Sequence, residues 1–254
     1  MQMSCESVLA VTDLTRHFGD VPAVSGLNLD LRRGEIAALL GPNGAGKSTS
    51  MRMIAGMLPP TRGSVRVAGT CIATNRRAAQ RHLGYLPEGA PLYDEMTPAD
   101  LLDFVGRCHA LGGRARRARV GEAAERLSLC EVMARPIGAL SKGYRRRVAF
   151  AAAILHDPNL LILDEPTDGL DPNQKHEVRR LLQELRHDRA ILISTHLLEE
   201  VEAVCTRALV IAGGRLITDT TPSAMADGGS LDRTFRTLTG QEPTAPRSDA
   251  EKAA

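Results

Sequence analysis

The sequence predicts an α/β fold: a core built on a parallel sheet, with an antiparallel β subdomain ahead of it and a helical subdomain inserted into it. Three observations lead there. Residues 35–40 (EIAALL) are apolar on both faces after the first position, as a strand buried inside a parallel sheet must be. They run into the glycine-rich turn 41–50 (GPNGAGKSTS), followed by helical spacing at Met51, Ile54 and Leu58. Two further apolar runs, 160–166 (LLILDEP) and 190–195 (AILIST), alternate with amphipathic stretches, the pattern of strands joined by crossover helices in a doubly wound sheet.

In chain order, 8–12 (VLAVT) and 27–31 (LNLDL) alternate apolar side chains and read as half-exposed strands joined by a turn around Phe18, Gly19 and Asp20. Residues 63–69 (GSVRVAG) return to strand alternation, and 82–87 (HLGYLP) form a short apolar element closed by Pro87. From about 91 to 155 apolar residues recur at three- and four-residue steps (Leu101, Leu102, Val105; Val120, Ala124, Leu127), which predicts the helical insertion. Val178, Leu181, Leu182 and Leu185 give one amphipathic crossover helix, and Leu197, Leu198, Val201 and Val204 give another. Residues 208–217 (ALVIAGGRLI) read as a hairpin turned by Gly213 and Gly214. These boundaries define one domain at 8–220 and a C-terminal extension at 221–254, whose small, polar end has the composition of a disordered tail.

Bulk composition narrows the function. A chain of 254 residues can bury roughly 70% of its unfolded surface, enough for one substantial domain. The balance of 32 basic against 30 acidic residues, a net charge of +2, argues against a nucleic-acid partner. Cys5, Cys71, Cys108, Cys130 and Cys205 are odd in number, scattered and without metal-ligand spacing, and read as buried free thiols of a reducing compartment. The longest apolar run, 148–155, falls well short of the ~18 residues of a membrane span, and residues 1–8 lack a signal-peptide core. The chain is expected to be soluble and cytoplasmic, with any membrane role exerted through a partner.

The chemistry concentrates in four places. Gly41, Pro42, Asn43, Gly44, Ala45, Gly46, Lys47 and Ser48 fit G-x-x-x-x-G-K-[ST], with Thr49 next, after a buried strand and at a helix start. Backbone N–H groups of such a loop face phosphates, the lysine reaches the β- and γ-phosphates, and the Ser48 hydroxyl binds Mg²⁺. The motif therefore predicts a P-loop NTPase core that binds ATP and Mg²⁺. Asp164 ends the second buried strand, at the carboxyl edge that faces the same crevice, and is placed to hold the Mg²⁺ hydration shell. Glu165 is expected to point differently along the pleat and to polarise an attacking water. His196, just past a third strand end, is a candidate to contact the γ-phosphate and Glu165. Residues 140–148 (LSKGYRRRV) place Ser141 and Gly143 at a helix mouth, which suits either a simple N-cap or an anion site. The basic cluster 114–119 (RARRAR) reads either as a solvated helix start or as a docking face for an acidic partner.

Five motifs in order, GPNGAGKST, LSKGY, LLILDEPT, DGLD and STH, make residues 8–220 resemble the nucleotide-binding subunit of an ABC transporter. The resemblance implies the ABC ATPase fold, ATP hydrolysis coupled to transport, a second ATPase subunit in a head-to-tail homodimer, and a separate transmembrane permease. It implies that Ser141 and Gly143 bind the γ-phosphate of a nucleotide held by the other chain, that Phe18 stacks on adenine, and that Asp171 reaches across the dimer. Glu88 stands where the family usually has Gln, beside nucleotide and Mg²⁺, and Lys142 and Tyr144 replace the more usual Gly and Gln. The forms YLPE, LSKGYR and GLDPNQ resemble ATPases of ABC-2-type exporters, including the gliding-motility and nitrous-oxide-reductase-associated branches, peripheral on the cytoplasmic membrane face. Two other readings stand beside transport: a soluble ABC ATPase driving macromolecular assembly, and a regulator that binds ATP without cleaving it, against which Asp164, Glu165 and His196 argue.

Overall fold

The computed structural model describes residues 7–226 and 231–240, so the expectation for the end of the chain lies outside the described residues. The chain opens with a long antiparallel hairpin, β1 (Ser7–Phe18) and β2 (Val21–Arg32), in which Phe18 pairs with Val21 across Gly19 and Asp20. Both strands run well beyond the alternating cores at 8–12 and 27–31, because register shifts let the irregular middle of β1 stay paired. The buried strand β3 (Ile36–Leu40) follows, then α1 (Lys47–Ile54). Helix α1 stops short of Leu58 because Gly56 takes φ 71° and the Met57 and Gly56 N–H groups bond back to Arg52 and Met53 carbonyls, a left-handed helix end.

Next come β4 (Arg62–Val67), β5 (Thr70–Cys71), α2 (Arg76–Gln80) and β6 (Leu83–Leu86). The insertion holds α3 (Pro98–Cys108), α4 (Gly113–Arg126) and α5 (Lys142–Ile154). Thr97 and Asp100 form a capping box at the start of α3. The chain then returns to the sheet through β7 (Leu160–Asp164), α6 (Pro172–Leu185), β8 (Ala190–Thr195), α7 (Leu198–Val204) and the hairpin β9 (Arg207–Ala212) and β10 (Arg215–Thr220). Gly213 and Gly214, both at positive φ, turn that hairpin. Helices α8 (Pro222–Ala226) and α9 (Leu231–Thr239) end the described chain. Met225, Leu231 and Phe235 are buried, so the first part of the extension packs on the core despite its polar composition.

The six-stranded sheet runs β10-β9-β3-β8-β7-β6, all parallel except the edge strand β10. The four-stranded sheet runs β2-β1-β4-β5 and is antiparallel throughout. Strand alternation sorts the interior into two cores. Ala37 and Leu39 of β3, with Leu160, Ile162, Ala190 and Leu192, face α1 and the antiparallel sheet. Ile36, Ala38 and Leu40, with Leu161, Leu163, Ile191 and Ile193, face the helical layer. Burial on both sides explains why β3, β7 and β8 read as continuous apolar runs, each large side chain contributing about 1.5–3 kcal/mol.

The expectation for the cysteines changes. The four cysteines among the described residues are unpaired, as free thiols should be, yet Cys108 and Cys130 are exposed and Cys71 and Cys205 only half-buried. Cys108 ends a helix and Cys130 opens a 3-10 turn, positions where the side chain leaves the core. The arginine cluster begins α4, and two of its members are bound within the chain: Arg116 pairs with Asp103 at 2.5 Å and Arg119 with Asp157 at 2.9 Å. Among the described residues no helix is long and apolar enough to cross a membrane.

Candidate active site

Sheet register assembles the site. Leu40 of β3 pairs with Thr195 of β8, and Asp164 of β7 pairs with Ser194, so three parallel strands end side by side. The loop 41–46, the pair Asp164 and Glu165, and His196 therefore open on one crevice, at the carboxyl edge where α/β sheets hold ligands.

The loop is braced from behind by backbone. A Cβ on Gly41 would meet the Ile211 carbonyl at 2.3 Å, and one on Gly46 would meet the Ala23 carbonyl at 2.5 Å. Gly46 also takes φ 104°, so glycine is required there twice over. Gly214 N–H donates to the Ala45 carbonyl at 3.0 Å, which ties the β9–β10 turn to the loop; nothing in the motif announces that support. Asn43 and Gly44 are exposed at the tip. Lys47, 8% exposed, donates from Nζ to the Gly41 carbonyl at 2.7 Å and the Pro42 carbonyl at 3.2 Å. Burial lowers its pKa, against the opposing pull of Glu165, Asp164 and Glu88.

Asp164 is 1% exposed. Its Oδ1 accepts from Ser194 Oγ and lies 3.4 Å from Ser48 Oγ. Glu165 does not continue the pleat, as alternation suggested: its φ is 49°, a left-handed conformation that costs a residue with a Cβ about 1–3 kcal/mol. The surroundings hold it there. Its N–H donates to Ser194 Oγ at 3.0 Å. Its carbonyl accepts from Arg146, which also donates to the Asp164 carbonyl at 3.3 Å and the Pro166 carbonyl at 3.1 Å. Glu165 Oε2 then meets His196 Nδ1 at 2.9 Å.

No role is legible in the sequence for Arg146, one of three consecutive arginines at a helix start. It is 5% exposed, and burial lowers its pKa while Asp168, Asp164, Glu165 and Glu88 counteract. It follows Gly143 by three residues on α5, and only its place among the buried positions Val148, Ala149 and Phe150 of that helix sets it apart.

The other candidates lie apart. Glu88 is exposed just after β6, and it acts on Lys47 and Arg146 through its charge. Phe18 is 50% exposed at the hairpin tip, with the Arg16 guanidinium 4.9 Å from its ring centroid. Ser141 caps α5, its Oγ accepting from Tyr144 N at 3.4 Å. Gly143 lies against the Gln174 amide, whose residue donates its N–H to Asp171 Oδ1 at 2.9 Å, and Lys142 Nζ lies 3.7 Å from Asp168 Oδ2. Among the described residues no hydrogen bond or ion pair joins Ser141, Gly143 or Asp171 to the phosphate loop.

A phosphate loop braced by backbone, a buried aspartate beside its serine and a glutamate held by a histidine define a P-loop ATPase. The ABC transporter family model matches residues 24–168. The ABC transporter ATP-binding protein NatA of Bacillus subtilis (strain 168) is 37% identical over 216 residues, covering 83% of this chain and 88% of that protein. The Nod factor export ATP-binding protein I of Rhizobium meliloti is 38% identical over 218 residues, 85% of this chain and 65% of that protein. A solved ATP-binding subunit of an ABC transporter superposes with a TM-score of 0.84 at 30% identity, over 91% of this chain and 99% of the other. CbiO1 from Clostridium perfringens, part of the ABC transporter complex cbiONQ, gives 0.78 at 29% identity, over 91% and 95%. The chain belongs to the ABC transporter family, as an ATP-binding subunit that hydrolyses ATP coupled to transport.

Proposed function

We propose that this chain powers an ABC-2-type exporter as a homodimer docked on a separate permease at the cytoplasmic membrane face. The observation that carries the reading is the contact between His196 Nδ1 and Glu165 Oε2 beside the Ser48–Asp164 pair. The export branch is supported by relatives named for Nod factor export and, for the YbhF protein of Escherichia coli (strain K12), as a probable multidrug ABC transporter ATP-binding protein, at 35% identity over 85% of this chain and 38% of that protein.

The loop N–H groups and Lys47 would take the phosphates of ATP, Lys47 exchanging its two carbonyl partners for phosphate oxygens. The oxygen donors Ser48 and Asp164 fit a hard cation. Those two residues would hold Mg²⁺, which would supply neutralisation of phosphate charge. Glu165 would accept the proton of the attacking water. An ionised carboxylate only accepts, so His196 carries its proton on Nδ1 and leaves Nε2 for the γ-phosphate side. Phe18 supplies a stacking face for adenine. Ser141 and Gly143 act on the nucleotide of the other subunit, which Asp171 also approaches; ATP thereby favours the closed dimer because only there does it touch both chains.

The test is to tag the chain in its native cell, cross-link, wash membranes with salt and identify co-purifying proteins by mass spectrometry. Recovery of polytopic membrane proteins supports the reading. Retention in the soluble fraction with an assembly complex overturns it.

A further inference from the structure

The side chain of His196 is 53% exposed, so packing does not hold its ring against Glu165. The backbone on either side does. Thr195 Oγ1 accepts from Leu197 N at 3.0 Å and donates to Glu200 Oε2 at 2.8 Å, which closes the peptide carrying His196 into a small ring of bonds. Glu200 N–H donates in turn to the Leu197 carbonyl at 3.1 Å. Glu200 is 2% exposed, and its Oε1 is buried without a hydrogen-bond partner. A carboxyl group in that position is costly, and burial raises its pKa. An apolar side chain would fill the same space at no such cost, so packing alone does not account for a glutamate. The charges that act on it are Arg179 and Lys175 of α6 and Glu165 across the crevice.

We propose that Glu200 is a positioning residue for the ATPase reaction: through Thr195 it fixes the backbone around His196 so that the imidazole meets Glu165. The inference rests on the role given to His196 above. The hydrogen bonds that carry this positioning run from Glu200 through residues 195–197. The hydroxyl of Thr195 is then the essential link, and its methyl group is dispensable.

The experiment compares the full chain with Glu200→Ala, Glu200→Gln, Thr195→Val, Thr195→Ser, His196→Ala and the double variant His196→Ala/Glu200→Ala. Two readouts are taken: kcat and KM for MgATP, and the imidazole ¹⁵N resonances of His196 in nucleotide-free protein. Glu200→Ala and Thr195→Val are expected to shift those resonances and to lower kcat by about tenfold to a hundredfold, the usual effect of losing an orienting partner, with little change in KM. Glu200→Gln and Thr195→Ser, which keep the acceptor and the donor, restore both readouts. The double variant should be no slower than His196→Ala alone. Unmoved resonances in Thr195→Val, or a further loss on going from His196→Ala to the double variant as large as that from wild type to Glu200→Ala, overturns the inference. Wild-type turnover in His196→Ala would overturn the role of His196 itself, and this inference with it. Thr195→Val removes one hydroxyl at nearly constant volume, so the test survives if Glu200→Ala fails to fold.

Discussion

Arg146 and Glu165 are joined through the backbone: a guanidinium on the helical layer donates to the carbonyl of a glutamate whose φ is 49°. The same guanidinium takes the carbonyls of Asp164 and Pro166, so one buried cation fixes the turn that aims the Glu165 carboxylate. Arg146→Met leaves three carbonyl oxygens without their donor and is expected to destabilise the fold by about 3 kcal/mol. Urea unfolding midpoints measure this. Arg146→Lys should recover only part of it, because an ammonium cannot span three acceptors as a planar fork does.

Glu165→Gln keeps the shape of the side chain and removes its ability to take a proton. Turnover is expected to fall by about 10²- to 10⁴-fold, with ATP still bound and the dimer accumulating. Steady-state hydrolysis, nucleotide binding and size-exclusion chromatography with ATP check the three parts. Near-normal turnover would remove Glu165 from the mechanism.

Ser141→Arg places a large cation at the mouth of α5, remote in hydrogen bonding from the loop of its own chain. Nucleotide binding by the monomer should stay intact while hydrolysis is lost. Mixing this variant with Lys47→Ala subunits should restore one composite site per heterodimer, and with it part of the activity. Loss of binding in the isolated Ser141→Arg monomer would show that the turn acts within its own chain.

Stability is expected to fall in mild acid. His156 stacks on His109 with ring centroids 3.6 Å apart, and its Nε2 lies 3.0 Å from the Leu83 carbonyl. Burial, with His109 adding to it, pushes the His156 pKa down to about 4 from an ordinary 6.5. The folded state therefore binds fewer protons than the unfolded state between those values, and stability declines as pH drops from about 6.5 towards 4, by on the order of 2–3 kcal/mol. Denaturant titrations at pH 7 and pH 5 test the slope, and His156→Gln should flatten it.

Much of the fold was legible because its central strands are buried on both faces: β3, β7 and β8 carry unbroken apolar runs at 36–40, 160–163 and 190–193. The phosphate loop was legible for a different reason, since its glycines answer to close backbone approach, which side-chain patterning cannot disguise. What escaped were contacts between distant elements. The role of Arg146 depends on α5 crossing the end of β7, and the brace from Gly214 to Ala45 depends on the β9–β10 hairpin turning behind the loop. The left-handed turn at Glu165 was hidden too, because alternation describes a strand only while it lasts.

The cap of α5 is a long bond, 3.4 Å from Tyr144 N to Ser141 Oγ. Losing an N-cap costs a helix only about 1 kcal/mol. An anion arriving at the same N–H groups returns more than that, since charged acceptors make the stronger bonds. On the proposed role of this turn, the serine would be a placeholder: it keeps the helix mouth folded and would yield those N–H groups to an anion with little resistance. In the proposed dimer, a subunit built this way would lose its partner and regain it many times without that turn unravelling.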